Sequence, residues 1–388
     1  MTRRICIVTG SRAEYGHVRW LARGISGDHR LQLQMLVTGS HLDPRFGETW
    51  REIEQDGFAI DARAESLLCG DSPVDAAVAM GAGLAALGRS LETLRPDIVV
   101  ILGDRYEMLA AASAALLLRL PIAHLHGGEI TEGAFDDAMR HAITKMAHLH
   151  FAAAEPYARR IVQLGEDPAR VFCVGAPGID ALIHEPPLTR EALADTISFP
   201  WHRRFVVVTY HPETLAAGDP AAPARALCAA LAGVPDLAVL ITGVNADPGR
   251  DAVAATLTAF AAEDPASRRV VASLGQRRYL AAIRYAAAVV GNSSSGIIEA
   301  PAVGTATVNI GGRQEGRLRA VSVLDCKPDR NAIAAAVATA LDPATRDAAR
   351  TQIPPYGRGG ASDAIREVLA THALEGLTRK RFYDLKAA

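Results

Sequence analysis

Residues 97–126 read DIVVILGDRYEMLAAASAALLLRLPIAHLH, and this one stretch restricts the chain to few folds. The run IVVIL is short, apolar and β-branched, and it stops at Gly103 and Asp104, which marks a buried strand rather than a helix. A helical stretch from Glu107 to Arg119 follows, and Pro121 returns the chain into a second short apolar run, IAHLH. This is a βαβ unit. Its right-handed crossover brings the ends of both strands to one edge of a parallel sheet. Strands that are apolar on both sides need helices on both faces, so the expected class is layered α/β.

The same alternation runs along the chain. ICIVTG, LQLQMLVTG, LHFAAA and RVFCVGAP read as further strands of the first half, with helices over SRAEYGHVRWLARGI, around Glu48 to Asp56, and from Val74 to Arg95. Pro186, Pro187 and Pro200 punctuate a stretch of weak pattern that reads as a linker. FVVVTYH, LAVLITG, RVVASL, AAVVGNSSSG and TATVNIGG then give five strands separated by alanine-rich helices. A chain of 388 residues exceeds one ordinary core. The expectation is therefore two doubly wound, Rossmann-like domains facing a central cleft, over 1–183 and 184–365, with a helical tail over 366–388 packing back on the first.

Composition removes several classes of function. A hydrophobic content of 49% and a formal charge of -2 give no bulk attraction to nucleic acid or anionic membrane, and neither is expected as a partner. No apolar run reads as a membrane span, and the few apolar residues after Arg3 and Arg4 are too short for a signal peptide. Cys6, Cys69, Cys173, Cys228 and Cys326 are scattered and odd in number, which fits a reducing cytoplasm. Alanine-rich helices such as that over 74–89 suit a subunit interface as well as a core, so a homo-oligomer stays open.

Candidate chemistry clusters where strands end, because ligands of open α/β sheets sit outside the carboxyl ends. The stretch HLHGGEITEGAFDDAMRHAITKMAH carries Glu129 just past a strand and Asp136 and Asp137 at the next helix start. With Asp104 these carboxylates can divide acid and base duties. Asp136 and Asp137 also have a plain helical reading, as a cap and as i,i+4 partners of Arg140 and His141. Arg12, after the first strand, meets a phosphate or is a surface arginine, and both readings stand. In GNSSSGIIEAP, Ser293, Ser294 and Ser295 place backbone amides at a helix start suited to a phosphate, or merely cap that helix. Glu299 suits a ribose diol, or complements the helix dipole. His211, before Pro212, titrates near neutrality and faces the cleft or is a loop histidine. His124, His126, His148 and His150 lack companion carboxylates or cysteines at metal-ligand spacing, so no metal site is expected. The first turn lacks G-x-G-x-x-G, which argues against a dinucleotide cofactor.

Taken together, TGSRAEYG, LGDRYEMLAAA, HLHGGEITEGAFDDAMRHAITK, TYHPET and GNSSSGIIEAPAVG strongly resemble the hydrolysing UDP-N-acetylglucosamine 2-epimerases of bacterial sialic acid synthesis. They also resemble relatives acting on UDP-diacetylbacillosamine in legionaminic acid synthesis, and the likeness runs in order from the first strand to about Arg319. The resemblance implies a GT-B fold, a UDP-sugar substrate and no cofactor or metal. By motif it implies catalytic roles for Asp104, Glu129, Asp136 and His211. It implies UDP or substrate contacts for Arg12, Ser293, Ser294, Ser295, Glu299 and Asp137. The expected reaction turns UDP-N-acetylglucosamine and water into N-acetylmannosamine and UDP, with UDP-diacetylbacillosamine as alternative substrate. The H-G-G-E form departs from the H-V-E-A-G form of non-hydrolysing enzymes, which with GT-B glycosyltransferases are the next alternative. Gly312, where many relatives carry aspartate, is one departure from the pattern.

Overall fold

The computed structural model describes residues 2–65, 70, 72–132, 134–213, 218–244 and 247–385. In chain order they form β1 (Arg3–Thr9), α1 (Arg12–Ser26), β2 (Leu31–Thr38), α2 (Trp50–Gln55), β3 (Ala62–Ala64), α3 (Pro73–Leu94), β4 (Ile98–Leu102), α4 (Tyr106–Leu117) and β5 (Ile122–Leu125). Next come α5 (Asp136–Met146), β6 (Leu149–Ala152), α6 (Glu155–Gln163), β7 (Val171–Cys173), α7 (Ala181–His184), α8 (Arg190–Ala194) and β8 (Phe205–Thr209). Then follow α9 (Ala222–Ala232), β9 (Ala238–Thr242), α10 (Arg250–Glu263), β10 (Arg268–Val271), α11 (Gly275–Tyr285) and β11 (Ala288–Gly291). The last are α12 (Glu299–Ala302), β12 (Thr307–Ile310), β13 (Val323–Cys326), α13 (Arg330–Leu341), α14 (Pro343–Thr351) and α15 (Ala361–Thr371).

Two compact units result. The first holds Met1–Glu129, Asp136–Asp180 and Gly359–Ala388, the second Ile130–Phe135 and Ala181–Arg358.

In the first unit seven parallel strands lie in the order β3-β2-β1-β4-β5-β6-β7. Successive residues of a strand point to opposite faces, so each strand feeds two cores. Ile5 and Ile7 meet Val18, Leu21 and Ile25 of α1, while Cys6 and Val8 meet Leu87 and Leu91 of α3 and the buried alanines of α4. The tail helix α15 joins the α1 side through Ile365 and Leu369. Its N-terminus is satisfied from afar. The fully buried Asp180 accepts the N–H groups of Gly360 at 2.7 Å, Ala361 at 3.1 Å and Ser362 at 2.6 Å, a cap that Gly360, lacking a side chain, cannot provide.

The second unit is a six-stranded parallel sheet, β10-β9-β8-β11-β12-β13, around a core of valines, leucines and alanines. Five strands were expected there. The sixth, β13, has only Val323 buried, and β3 in the first unit is similarly mixed, so neither edge strand carries an apolar run. The excursion Ile130–Phe135 belongs to this unit, with Glu132 N–H donating to the Glu315 carbonyl at 3.0 Å and Ile130 packed where a Gly316 side chain would be.

α3 corrects one expectation. It is long and apolar enough to cross a membrane by length and composition, although it carries Asp75, Arg89 and Glu92. Alanine scores as apolar without filling space, which is how so polar-tipped a helix passes. Cys6, Cys173, Cys228 and Cys326 are free thiols, and Cys69 lies outside the described residues.

Three buried histidines of the first unit make its stability pH-dependent. Burial, then the charge of Arg12, holds His41 down to about 3; burial holds His124 at about 3; burial, then Lys380, holds His148 at about 4. Unfolded, each ring takes a proton near pH 6.5. Below that pH the unfolded chain binds more protons than the fold, so stability falls as pH falls, by up to about 1.4 kcal/mol per pH unit and ring. Glu14 opposes this: burial, then the neighbouring charge of Glu107, pushes it up to about 7, which weakens the fold as pH rises toward 7. One group stands against three. Calorimetry is expected to show Tm falling from pH 6.5 to 4.5, and a flat profile would contradict this balance.

Candidate active site

Each sheet has one place where the strand order reverses, and there the loops after the strands diverge and leave a crevice at the carboxyl ends. In the first unit it lies between β1 and β4. β1 runs into Gly10 and Ser11; the Ser11 hydroxyl caps α1 by accepting Glu14 N–H at 3.3 Å, and Arg12 is the first helical residue. β4 runs into Gly103, whose φ of +81° suits glycine, and then Asp104. The neighbouring β5 runs into His126, Gly127, Gly128 and Glu129.

These strand ends are tied together by Arg140 of α5. Its side chain is only 1% exposed. Nη2 pairs with the Asp104 carboxylate, and Nη1 donates to the Glu129 carbonyl at 3.0 Å and to Asp137 Oδ1 at 3.4 Å. A buried guanidinium is costly to desolvate unless its fork is satisfied, and here the partners satisfy it from three directions. The structure thus gathers Asp104, Glu129 and Asp137 about one cation. Asp136 opens α5 next to them. The expected pair of Asp137 with His141 forms at 3.5 Å, whereas Arg140 reaches Asp137 at i,i+3 and crosses to another strand end. Sequence reading missed Arg140 as a site residue. The available signal was its place on the same helix face as Asp137, one turn on.

The turn after β5 is equally constrained. Gly128 has φ of +75°, and a Cβ there would lie 2.3 Å from the Tyr157 carbonyl oxygen, so only glycine fits. Arg160 Nη1 donates to the Gly128 carbonyl at 2.5 Å. Glu129, 1% exposed, lies with Oε1 2.6 Å from His126 Nδ1. His124 Nε2 contacts the Gly103 carbonyl at 2.8 Å and its Nδ1 meets the Thr144 hydroxyl at 3.2 Å, which joins the Asp104 turn to α5. His148 Nδ1 accepts Ile122 N–H at 3.1 Å, and His150 Nε2 meets Glu166 at 3.0 Å. Burial opposes ionisation of Glu166, yet bonds from His150, Lys145 and Lys380 carry it down to about 2.

In the second unit the order reverses between β8 and β11. β8 leads to Tyr210 and His211, and β11 to Asn292 and the serines. The two exits are stitched by the buried Asn292: its Oδ1 accepts His211 N–H at 2.8 Å, and its Nδ2 donates to the His211 carbonyl at 2.8 Å. Gln314 Nε2 donates to the Asn292 carbonyl at 2.8 Å. His211 is buried. Ser293 caps a single 3₁₀ turn, Ser294–Gly296, by accepting Ser295 N–H, and the Ser295 hydroxyl bonds Tyr279. Here the expected continuous helix is corrected. The 3₁₀ turn is followed by the four-residue α12, which starts at the buried Glu299 and contains Pro301, a residue without the N–H a longer ladder needs. The Gly312 loop is held from outside, with Gly312 N–H donating to Glu213 at 3.2 Å, and burial raises the pKa of Glu213.

Known proteins share this arrangement of sequence and fold. A 2-epimerase of Campylobacter jejuni, named GDP/UDP-N,N′-diacetylbacillosamine 2-epimerase (hydrolyzing), is 38% identical over 323 residues, 83% of this chain and 84% of that one. The Legionella pneumophila UDP-N,N′-diacetylbacillosamine 2-epimerase (hydrolyzing) is 34% identical over 379 residues, 96% of both. The crystal structure of the Neisseria meningitidis UDP-GlcNAc 2-epimerase bound to UDP-GlcNAc superposes with a TM-score of 0.80 at 16% identity, over 94% of this chain and 99% of that one, which establishes a GT-B-like pair of Rossmann-like sheets. The family model for UDP-N-acetylglucosamine 2-epimerase matches residues 23–370, and this chain belongs to that family.

Proposed function

We propose that the protein hydrolyses a UDP-linked 2-acetamido sugar while inverting carbon 2, releasing UDP and the free 2-epimer for nonulosonic acid synthesis. The observation that carries this reading is the gathering of Asp104, Glu129 and Asp137 on the buried Arg140. The hydrogen on carbon 2 is barely acidic. Departure of UDP with the electron pair of the C1–O bond has to run ahead, leaving cation-like character that makes proton removal feasible. A base then takes the proton and a glycal forms. Water adds at carbon 1 while a proton returns to carbon 2 from the other face. Such a sequence needs acid and base groups on both faces, and clustered carboxylates with different surroundings divide those duties.

Asp104, Glu129 and Asp136 are the carboxylates we assign to the proton transfers, with Asp137 as the partner that steadies Arg140 and contacts substrate. Arg12 is assigned to the diphosphate, whose negative charge grows as the C1–O bond breaks. The second unit's share is the Ser293, Ser294 and Ser295 turn for phosphate, Glu299 for the ribose diol and His211 as a further acid–base group. Two relatives named for the diacetylbacillosamine sugar, at 38% and 34% identity, move UDP-diacetylbacillosamine ahead of UDP-N-acetylglucosamine as substrate. Offered separately, the first is expected to release UDP at least about tenfold faster by chromatography, a preference one well-placed polar contact supplies. Equal rates would remove the substrate assignment, and no UDP from either would remove the function.

A further inference from the structure

The turn after β5 holds more than a role for Glu129 explains. His126 adopts φ of +63°, a left-handed conformation that glycine or asparagine takes far more readily than histidine. If the turn needed only a tight bend, histidine would be a poor choice. Its Nδ1 lies 2.6 Å from Glu129 Oε1. A carboxylate only accepts, so Nδ1 carries the hydrogen, and in the neutral ring the remaining lone pair is on Nε2. That nitrogen is out of solvent and has no hydrogen-bond partner among the described residues, in a side chain itself 8% exposed. Buried polar atoms nearly always find partners, and one that does not calls for a reason. The ring of His17 in α1 stands alongside, centroids 6.1 Å apart.

We propose that His126 is a catalytic residue of this reaction, its Nε2 taking the proton from carbon 2, with Glu129 as the carboxylate that orients the ring and stabilises its charged form. The inference rests on the hydrolytic epimerisation set out above and changes one assignment within it: Glu129 acts through His126. The pairing follows carboxylate–imidazole logic, in which the acid fixes tautomer and direction without itself moving a proton. In the step, the C2–H electron pair becomes the C1=C2 bond, the C1–O pair leaves with UDP, and the proton passes to Nε2. The return of a proton to the opposite face falls to a carboxyl group of the Arg140 cluster.

His126→Asn separates the readings. Asparagine tolerates the left-handed backbone and keeps an N–H donor toward Glu129, but it has nothing at the Nε2 position. The expected result is a fall in kcat of about 10²–10⁴ with KM within a few-fold and Tm unchanged, and partial recovery with added imidazole. Activity within about fivefold of wild type would overturn the proposal, because a donor to Glu129 would then suffice. Imidazole nitrogen NMR of the wild-type protein decides independently of turnover and of whether the variant folds. An Nδ1–H tautomer at His126 that is lost in Glu129→Leu supports the proposal, and an Nε2–H tautomer overturns it. Should wild type release no UDP from either sugar, the function reading falls and the tautomer alone decides the role of His126.

Discussion

Replacing Arg140 by methionine is expected to lower stability by about 3 kcal/mol and activity by roughly a thousandfold or more. Methionine fills much of the volume but leaves the Asp104 carboxylate and the Glu129 carbonyl without the cation that holds both. Breaking a buried pair by removing one partner is costly because the other charge stays behind. The stability loss sits at the lower end of that range, since the Asp104 side chain is 21% exposed and water can reach it. Activity should suffer more than stability, because two strand ends lose their common reference point and small displacements of reacting groups are expensive. Arg140→Lys keeps the charge without the fork and should fall between. Urea unfolding and initial rates of UDP release check both parts; a methionine variant within about 1 kcal/mol and tenfold of wild type would show that the carboxylates are placed by other means.

Gly291→Ala is the second large effect. Gly291 closes β11 beside Thr209 of β8, with φ of +146°, and a Cβ there would fall 2.0 Å from the Thr209 carbonyl oxygen and 2.7 Å from its carbon. Backbone cannot move aside as a flexible side chain would. The two strands must part where they deliver His211 and the serine turn, so the expected loss is on the order of 3 kcal/mol or more. UDP affinity should drop at least about tenfold, the equivalent of one lost phosphate contact. Thermal melts and UDP titration measure the two effects, and an alanine variant that matches wild type in both would contradict the close approach.

What the sequence discloses about this fold follows from burial. β4, β5, β8 and β9 are covered on both faces and announce themselves as apolar runs, whereas β3 and β13 lie at sheet edges with mixed burial and leave no such trace. The return of α15 to the first unit and the loan of Ile130–Phe135 to the second are tertiary events without a local signal. Asp104 and Glu129 were legible as site candidates because they follow strand ends. Arg140 was not, because a buried arginine and a surface one look alike until its partners are known. His126 reads as the second half of an H-x-H pair, and only its positive φ and short contact to Glu129 set it apart. The serine turn was over-read as a continuous helix, although Pro301 stood in the sequence as a warning.

The most direct test of the central claim is a proton NMR time course in heavy water, with UDP-diacetylbacillosamine and UDP-N-acetylglucosamine in separate samples. Elimination and re-addition at carbon 2 predict free UDP and a free 2-epimerised sugar whose carbon 2 carries solvent deuterium. A UDP-linked epimer, or a free sugar that keeps its original hydrogen at carbon 2, would contradict the account.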